Sequence, residues 1–202
     1  MRNLFVSYFR TGDQQRDNEL SECLQRNVSN PLIDKVFMII EGDVDGKPHS
    51  LNEKVKWLYV RVRPTYNVLF DLVRQNSDAN DINIIANSDI YFDETLAAVD
   101  QIQPNDIFAL CRWECATGQF LNRRDSQDVW IMRGHPRNVI ADFTMGIPGC
   151  DNAIADRFAK VGYSVISPSK TIKTWHLHSS DQRTYSVNIR VPQPYKFMER
   201  YT

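Results

Sequence analysis

Asp81-Ile82-Asn83-Ile84-Ile85-Ala86-Asn87-Ser88-Asp89 is the stretch on which the fold turns. A short run dominated by isoleucine stops abruptly at three polar residues. An apolar run of that length, without clean alternation, suits a strand covered on both faces, the usual state of a parallel sheet. In such sheets ligands gather beyond the carboxyl ends of the strands. The same nine residues therefore predict both a buried strand and the place of a site.

Working outward, residues 3–9, 35–41 and 56–62 read as three earlier strands, and residues 107–113 as a later one. Helical spacing separates them. Leu20, Cys23, Leu24 and Val28 share one face of a helix over 17–28. Val68, Leu69, Leu72 and Val73 do so over 65–75, with Pro64 just ahead of the first turn. Asp93 is placed to cap a helix over 94–102, which ends before Pro104. This alternation predicts an α/β fold, a mostly parallel sheet flanked by helices on both faces, in a single domain over 1–202. Polar residues just after the strands then become candidates: Ser7, Tyr8 and Arg10; Glu41 and Asp43; Arg63; Asn87 and Asp89. Residues 112–137 read as a charged, aromatic, turn-rich segment. Ile154, Phe158 and Val161 mark another helix, 165–166 and 171–178 read as late strands, and a polar, aromatic tail from Asp181 is expected to wrap the surface.

Composition removes several classes. The chain has 202 residues, 24 basic and 25 acidic side chains and a net charge of −1, which argues against holding nucleic acid by bulk charge alone. A hydrophobic fraction of 42% supports an ordered core. The longest apolar runs, such as 36–40, fall far short of the roughly 20 residues that span a bilayer. The first ten residues read as a strand, not a secretory leader. The four cysteines are scattered with no C-x-x-C pair, so the expected setting is reducing and cytoplasmic.

Four constellations can carry chemistry. Asn87 and Asp89, two apart on an extended chain, point the same way and suit a hard divalent cation or the ribose and phosphates of a nucleotide. His176 and His178 share one face of a strand and offer imidazole ligands. Without a cysteine or third histidine to close a tetrahedral set, manganese or magnesium fits better than zinc. Asp151 follows Gly149-Cys150 at a helix start, where it can cap the helix or serve as a general base. The segment 123–137 carries four arginines, His135 and Trp130, groups that suit phosphates, sugars or bases.

This ordered set resembles nucleotide-sugar glycosyltransferases of the A-type fold. Asn87-Ser88-Asp89 sits where that family has its Asp-x-Asp motif. Gly149-Cys150-Asp151-Asn152-Ala153-Ile154-Ala155-Asp156-Arg157, then Gly162-Tyr163 and Pro168, resembles the family segment reading Glu-Asp-x-Asp, Arg, Gly-Tyr and Pro. His176 and His178 fall where a C-terminal metal-binding histidine is found. Two positions depart: Asn87 replaces the first Asp, and Cys150 replaces the Glu before Asp151.

The resemblance implies a nucleotide-binding half over 1–113, an acceptor and catalytic half over 114–180, and a C-terminal tail over 181–202. It implies sugar transfer from a nucleoside-diphosphate sugar to a hydroxyl acceptor, a saccharide or modified nucleic acid such as DNA, with no membrane partner. Asp89, His178 and His176 would hold Mn2+ or Mg2+. Ser7, Tyr8, Arg10, Glu41, Arg63, Asn87 and Asp89 would line the donor pocket. Asp128, Trp130, Arg133 and Asn152 would meet the acceptor, and Asp151 would act as base with inversion. Two other readings stay open: a nucleotide-binding regulatory domain without turnover, and a metal-dependent phosphoesterase built on Asp89, Asp151, His176 and His178.

Overall fold

The computed structural model describes residues 1–42, 52–179, 189–199 and 201–202. The central sheet is built from β1 (Arg2–Tyr8), β2 (Lys35–Glu41), β3 (Val55–Val60), β4 (Ile82–Ala86), β6 (Asp106–Leu110), β9 (Val129–Arg133) and β10 (Ser164–Ile166). Their order is β10-β6-β9-β4-β1-β2-β3. Every neighbouring pair is parallel except those of β9, which runs antiparallel to both β4 and β6. The expected α/β architecture, a mostly parallel sheet between helices, is what forms.

The apolar strands lack polar alternation because each supplies two cores at once. Phe5, Phe37, Ile39, Ile85, Ala109 and Trp130 face one side, beneath the helices α2 (Tyr66–Asn76) and α3 (Cys150–Lys160). Leu4, Val36, Met38, Ile84, Leu110 and Ile131 face the other. There the helix α1 (Gln14–Ser29) and a 3-10 helix (Glu94–Gln101) cover them through Leu24, Val28, Leu96 and Val99. Among the described residues no helix is long and apolar enough to cross a membrane.

Several expectations change in detail. The helix expected over 94–102 is a 3-10 helix, tied at its start by Asp93, whose carboxylate accepts from the Thr95 amide at 2.9 Å. The strand expected over 107–113 is split: the chain leaves the central sheet after Leu110 and enters a smaller one at β7 (Trp113–Glu114). That sheet adds β5 (Ile90–Phe92), β8 (Gln119–Phe120) and β11 (Thr174–His176) in the order β5-β11-β7-β8. The strand expected over 171–178 shortens to β11. The described part of the tail, expected to wrap the surface, instead sends Val191 and Met198 into the core on the side of α2 and α3; residues 181–188 lie outside the described residues.

The largest correction is β9, a central strand inside a segment whose charge masks it. Its antiparallel direction sets the fate of two expected acceptor residues. Val129 pairs with Ala86 and Leu110 at the carboxyl ends of their strands, whereas Arg133 pairs with Ile82 at the opposite rim. There the Arg133 guanidinium donates to the carbonyls of Ile102 and Asp100 at 2.9 and 3.0 Å. Trp130 is fully buried, 5.7 Å from the Phe158 ring. Trp130→Ala should therefore cost about 3–5 kcal/mol through the cavity it leaves. A change below about 1 kcal/mol in denaturant unfolding would contradict that core role.

Candidate active site

A cavity of about 760 Å³ opens over the carboxyl ends of the parallel strands. Asp89, Asp151, His176 and His178, remote in sequence, all line it. Two local features bring them there. First, the chain turns directly after β4, with the Ile90 amide donating to the Asn87 carbonyl at 3.2 Å. The turn sends the two side chains to different partners, against the expectation that they would point the same way. Asn87 donates to Asp128 Oδ1 at 2.9 Å, while Asp89 faces Arg16 and the histidines. Second, β11 aligns His176 with Ile90 of β5 on one side and Glu114 of β7 on the other. The small sheet thus places His176 between Asp89 and Glu114.

The charged network is continuous. Arg16 Nη2 donates to Asp89 Oδ2 at 2.5 Å, and its Nη1 to Glu19 Oε2 at 3.0 Å. Glu19 in turn accepts from the Ser179 amide at 2.9 Å, tying α1 to the chain beyond β11. His176 Nδ1 lies 2.9 Å from Glu114 Oε2 and its Nε2 lies 3.3 Å from Asp89 Oδ2. Arg112 bridges Glu114 at 2.8 Å and Asp128 at 3.2 Å. Burial alone would raise the Asp89 carboxyl, but His176 and Arg16 hold it well below the usual range. Burial disfavours a charged His176, yet Asp89 and Glu114 outweigh it and raise its pKa. His178 moves the other way, lowered by burial and by the Arg16 charge.

These residues fit a divalent cation. One ligand atom from each of Asp89, His176 and His178 lies within 4.8 Å of the others. Arg16 and His176 occupy one Asp89 oxygen, while Asp89 Oδ1 and His178 Nε2 are buried with no hydrogen-bond partner among the described residues. A neutral His178 is the form that ligates. Glu114 against His176 Nδ1 orients the ring so that Nε2 faces the cluster, the usual arrangement of a carboxylate behind a metal-binding histidine.

Asp151 stands on the first turn of α3. Gly149, at φ 84°, caps the helix, so Asp151 is released from the capping role its position also allowed. A Cβ at Gly149 would lie 2.6 Å from the Tyr195 hydroxyl oxygen, which keeps that position glycine. The Asp151 carboxylate accepts from the Gln127 amide at 3.3 Å and from the Cys150 thiol at 3.2 Å. Burial, then the charge of Asp128, pushes its pKa up to about 7.

The remaining expected residues divide. Ser7, Arg63, Asn87, Asp128 and Asn152 line the cavity. Tyr8 and Arg10 line a separate hollow of about 200 Å³ beside Gln14 and Asp17. Glu41 is not on the cavity wall; burial raises its carboxyl, with Arg63 opposing. Trp130 and Arg133 are corrected: one lies in the core and the other at the far rim. Asp43 lies outside the described residues. Arg16, Glu19, Arg112 and Glu114 were missed. For Arg112 and Glu114 a signal existed, since they directly follow the apolar end of β6. For Arg16 there was none, because one arginine on a polar helix start looks like any solvated residue.

No protein-family model matches this chain, and no match exists among curated proteins. Solved structures with similar coordinates include S. aureus TarS 1-349, at 13% identity and TM-score 0.43, covering 61% of this chain and 39% of that one. The chain therefore spans about two fifths of the length of that structure. The apo-form glycosyltransferase GlyE of Streptococcus pneumoniae TIGR4 is 10% identical at TM-score 0.48, covering 94% of this chain and 57% of that one. The Francisella tularensis 2-C-methyl-D-erythritol 4-phosphate cytidylyltransferase IspD is 13% identical at TM-score 0.45, covering 85% and 92%.

Proposed function

We propose that the chain is a glycosyltransferase that moves a sugar from a nucleoside-diphosphate sugar to a hydroxyl acceptor. The observation that carries this reading is the shared cavity: the Asp89–His176–His178 cluster and a carboxylate poised near neutrality face one hollow at the strand ends. Asp89, His176 and His178 would hold Mn2+ or Mg2+, which when bound would offset the charge that grows on a departing diphosphate. Ser7, Arg63 and Asn87 would line the donor end of the same hollow. Arg16 keeps Asp89 ionised, and Glu114 fixes the His176 ring.

Asp151 would take the proton from the acceptor hydroxyl, and attack on the face opposite the leaving group would invert the anomeric carbon. With its pKa near 7, a useful fraction is ionised at neutral pH and can still accept a proton. Asp128 and Asn152 line the same hollow and would meet a hydroxyl acceptor such as a saccharide.

The test is thermal unfolding against nucleoside diphosphates and their sugars, with and without manganese. A ligand at 100 times its Kd adds about 2.7 kcal/mol, a shift of several degrees. The expected result is selective stabilisation by one nucleotide class that grows with manganese, followed by transfer to a saccharide. Phosphate release without any sugar donor would favour a phosphoesterase, and binding without turnover a regulatory domain.

A further inference from the structure

The turn before α3 raises a question about Cys150. It is buried at 2% exposure in the core beneath the sheet, yet its thiol is directed at Asp151 Oδ1 at 3.2 Å. The other carboxylate oxygen receives the Gln127 amide at 3.3 Å. Each oxygen of Asp151 thus has one donor, one from its own helix and one from the chain two residues ahead of β9. We propose that Cys150 is a positioning residue for Asp151: a neutral thiol donor that fixes the carboxylate's rotation and stabilises its ionised form, with Asp128 as the opposing charge. This rests on the reading of Asp151 as the base.

The chemistry of the position supports a donor role. Burial and the adjacent Asp151 charge push the Cys150 thiol well above its ordinary pKa, so it keeps its proton and can donate. A second carboxylate here would face Asp151 without a proton to give and would add like charge to a buried pocket. The groups that face Asp151 are few: Cys150 on its own helix, Asp128 beside the Gln127 amide, Arg112 beyond β6 and Tyr66 on α2. Tyr66 is wholly buried and kept neutral, so it adds no charge. Arg112 is itself paired with Glu114 and Asp128. Asp128 raises the Asp151 carboxyl, while the Cys150 thiol, the Gln127 amide and Arg112 lower it, and of these three the thiol is the one held on the neighbouring residue of α3.

The experiment is an infrared pH titration of the Asp151 carboxyl stretch, isolated by subtracting the spectrum of Asp151→Asn, in the wild-type chain and in Cys150→Ala, Cys150→Ser and Asp128→Asn. Loss of the thiol donor in Cys150→Ala should raise the midpoint by about half a pH unit, an approximately threefold change in the acid constant. The serine hydroxyl should restore it, and Asp128→Asn should lower it. In turnover, the acid limb of kcat/KM should move in parallel, while KM for the donor stays level. Titrations that coincide in all folded variants would overturn the proposal. Shifted titrations with an active Asp151→Asn enzyme would uphold the thiol's influence and overturn the base reading it serves. Where the alanine variant fails to fold, Cys150→Val, close in volume and without a donor, should show the same raised midpoint, and a wild-type midpoint there would overturn the proposal.

Discussion

Asp151→Asn is expected to lower kcat about 10²- to 10⁴-fold, the range over which a positioned general base contributes. Donor binding should change little, because the metal cluster belongs to Asp89, His176 and His178 and not to α3. The expected signature is a collapsed kcat with a nearly unchanged thermal shift from the nucleotide. Asparagine preserves size, and its single oxygen can keep the Gln127 amide while its NH2 turns toward the Cys150 sulfur as acceptor, so the turn before α3 survives. Wild-type turnover in this variant would remove Asp151 from the base role.

The same substitution has a stability consequence of opposite sign. Asp151 is raised from an ordinary 3.8 to about 7 by burial and by Asp128. A carboxyl raised on folding is most compatible with the fold below pH 3.8, and its penalty grows as pH rises toward 7. Removing the ionisable group should therefore stabilise the protein at pH 8 and leave it nearly unaltered at pH 4. Thermal unfolding of both proteins at the two pH values checks this. A variant less stable than wild type at pH 8 would mean that the carboxylate is better solvated than its burial implies.

The parallel sheet was legible because its strands are long isoleucine- and valine-rich runs that serve two cores, a pattern few other structures produce. Asp89 was legible for a related reason, since a polar residue directly after such a run has few reasons to be there except at a ligand, whereas Asp151 was legible from its place at a helix start and the histidines from their spacing of two on a strand. β9 escaped because the strand itself, Val-Trp-Ile-Met, is short and flanked by charge on both sides. Missing the strand and its direction assigned both Arg133 and Trp130 to the acceptor, although one lies at the far rim and the other in the core. Arg16 and Glu19 escaped because their roles arise from α1 meeting the turn after β4 and the chain beyond β11 in space, and neither spacing nor periodicity encodes that meeting. Asn87 shows the converse error: the rule for extended chains failed because the backbone turns immediately after β4.

Asp89→Asn is expected to remove the manganese-dependent part of donor binding and to destabilise the fold together. Its carboxylate balances Arg16 at 2.5 Å, with the two side chains only 8% and 12% exposed, and it also faces His176. Taking one partner from a buried ion pair leaves an uncompensated charge and typically costs about 3–5 kcal/mol. Glu19 still accepts from Arg16, which places the expected loss near the lower end, about 3 kcal/mol. Asp89 is depressed on folding, so its contribution is present above the ordinary carboxylate range and fades as pH falls below it. The difference between wild type and variant in urea unfolding should therefore be full at pH 7 and begin to shrink only as pH falls below 3.8. Adding Arg16→Met to the variant should recover part of the stability, since it removes the stranded guanidinium while Glu19 keeps its Ser179 donors. It should not recover the manganese response, because the ligand oxygen is still gone. That separation tells a metal-holding carboxylate from a purely structural one: a double variant that regained both would show that Asp89 serves only to neutralise Arg16.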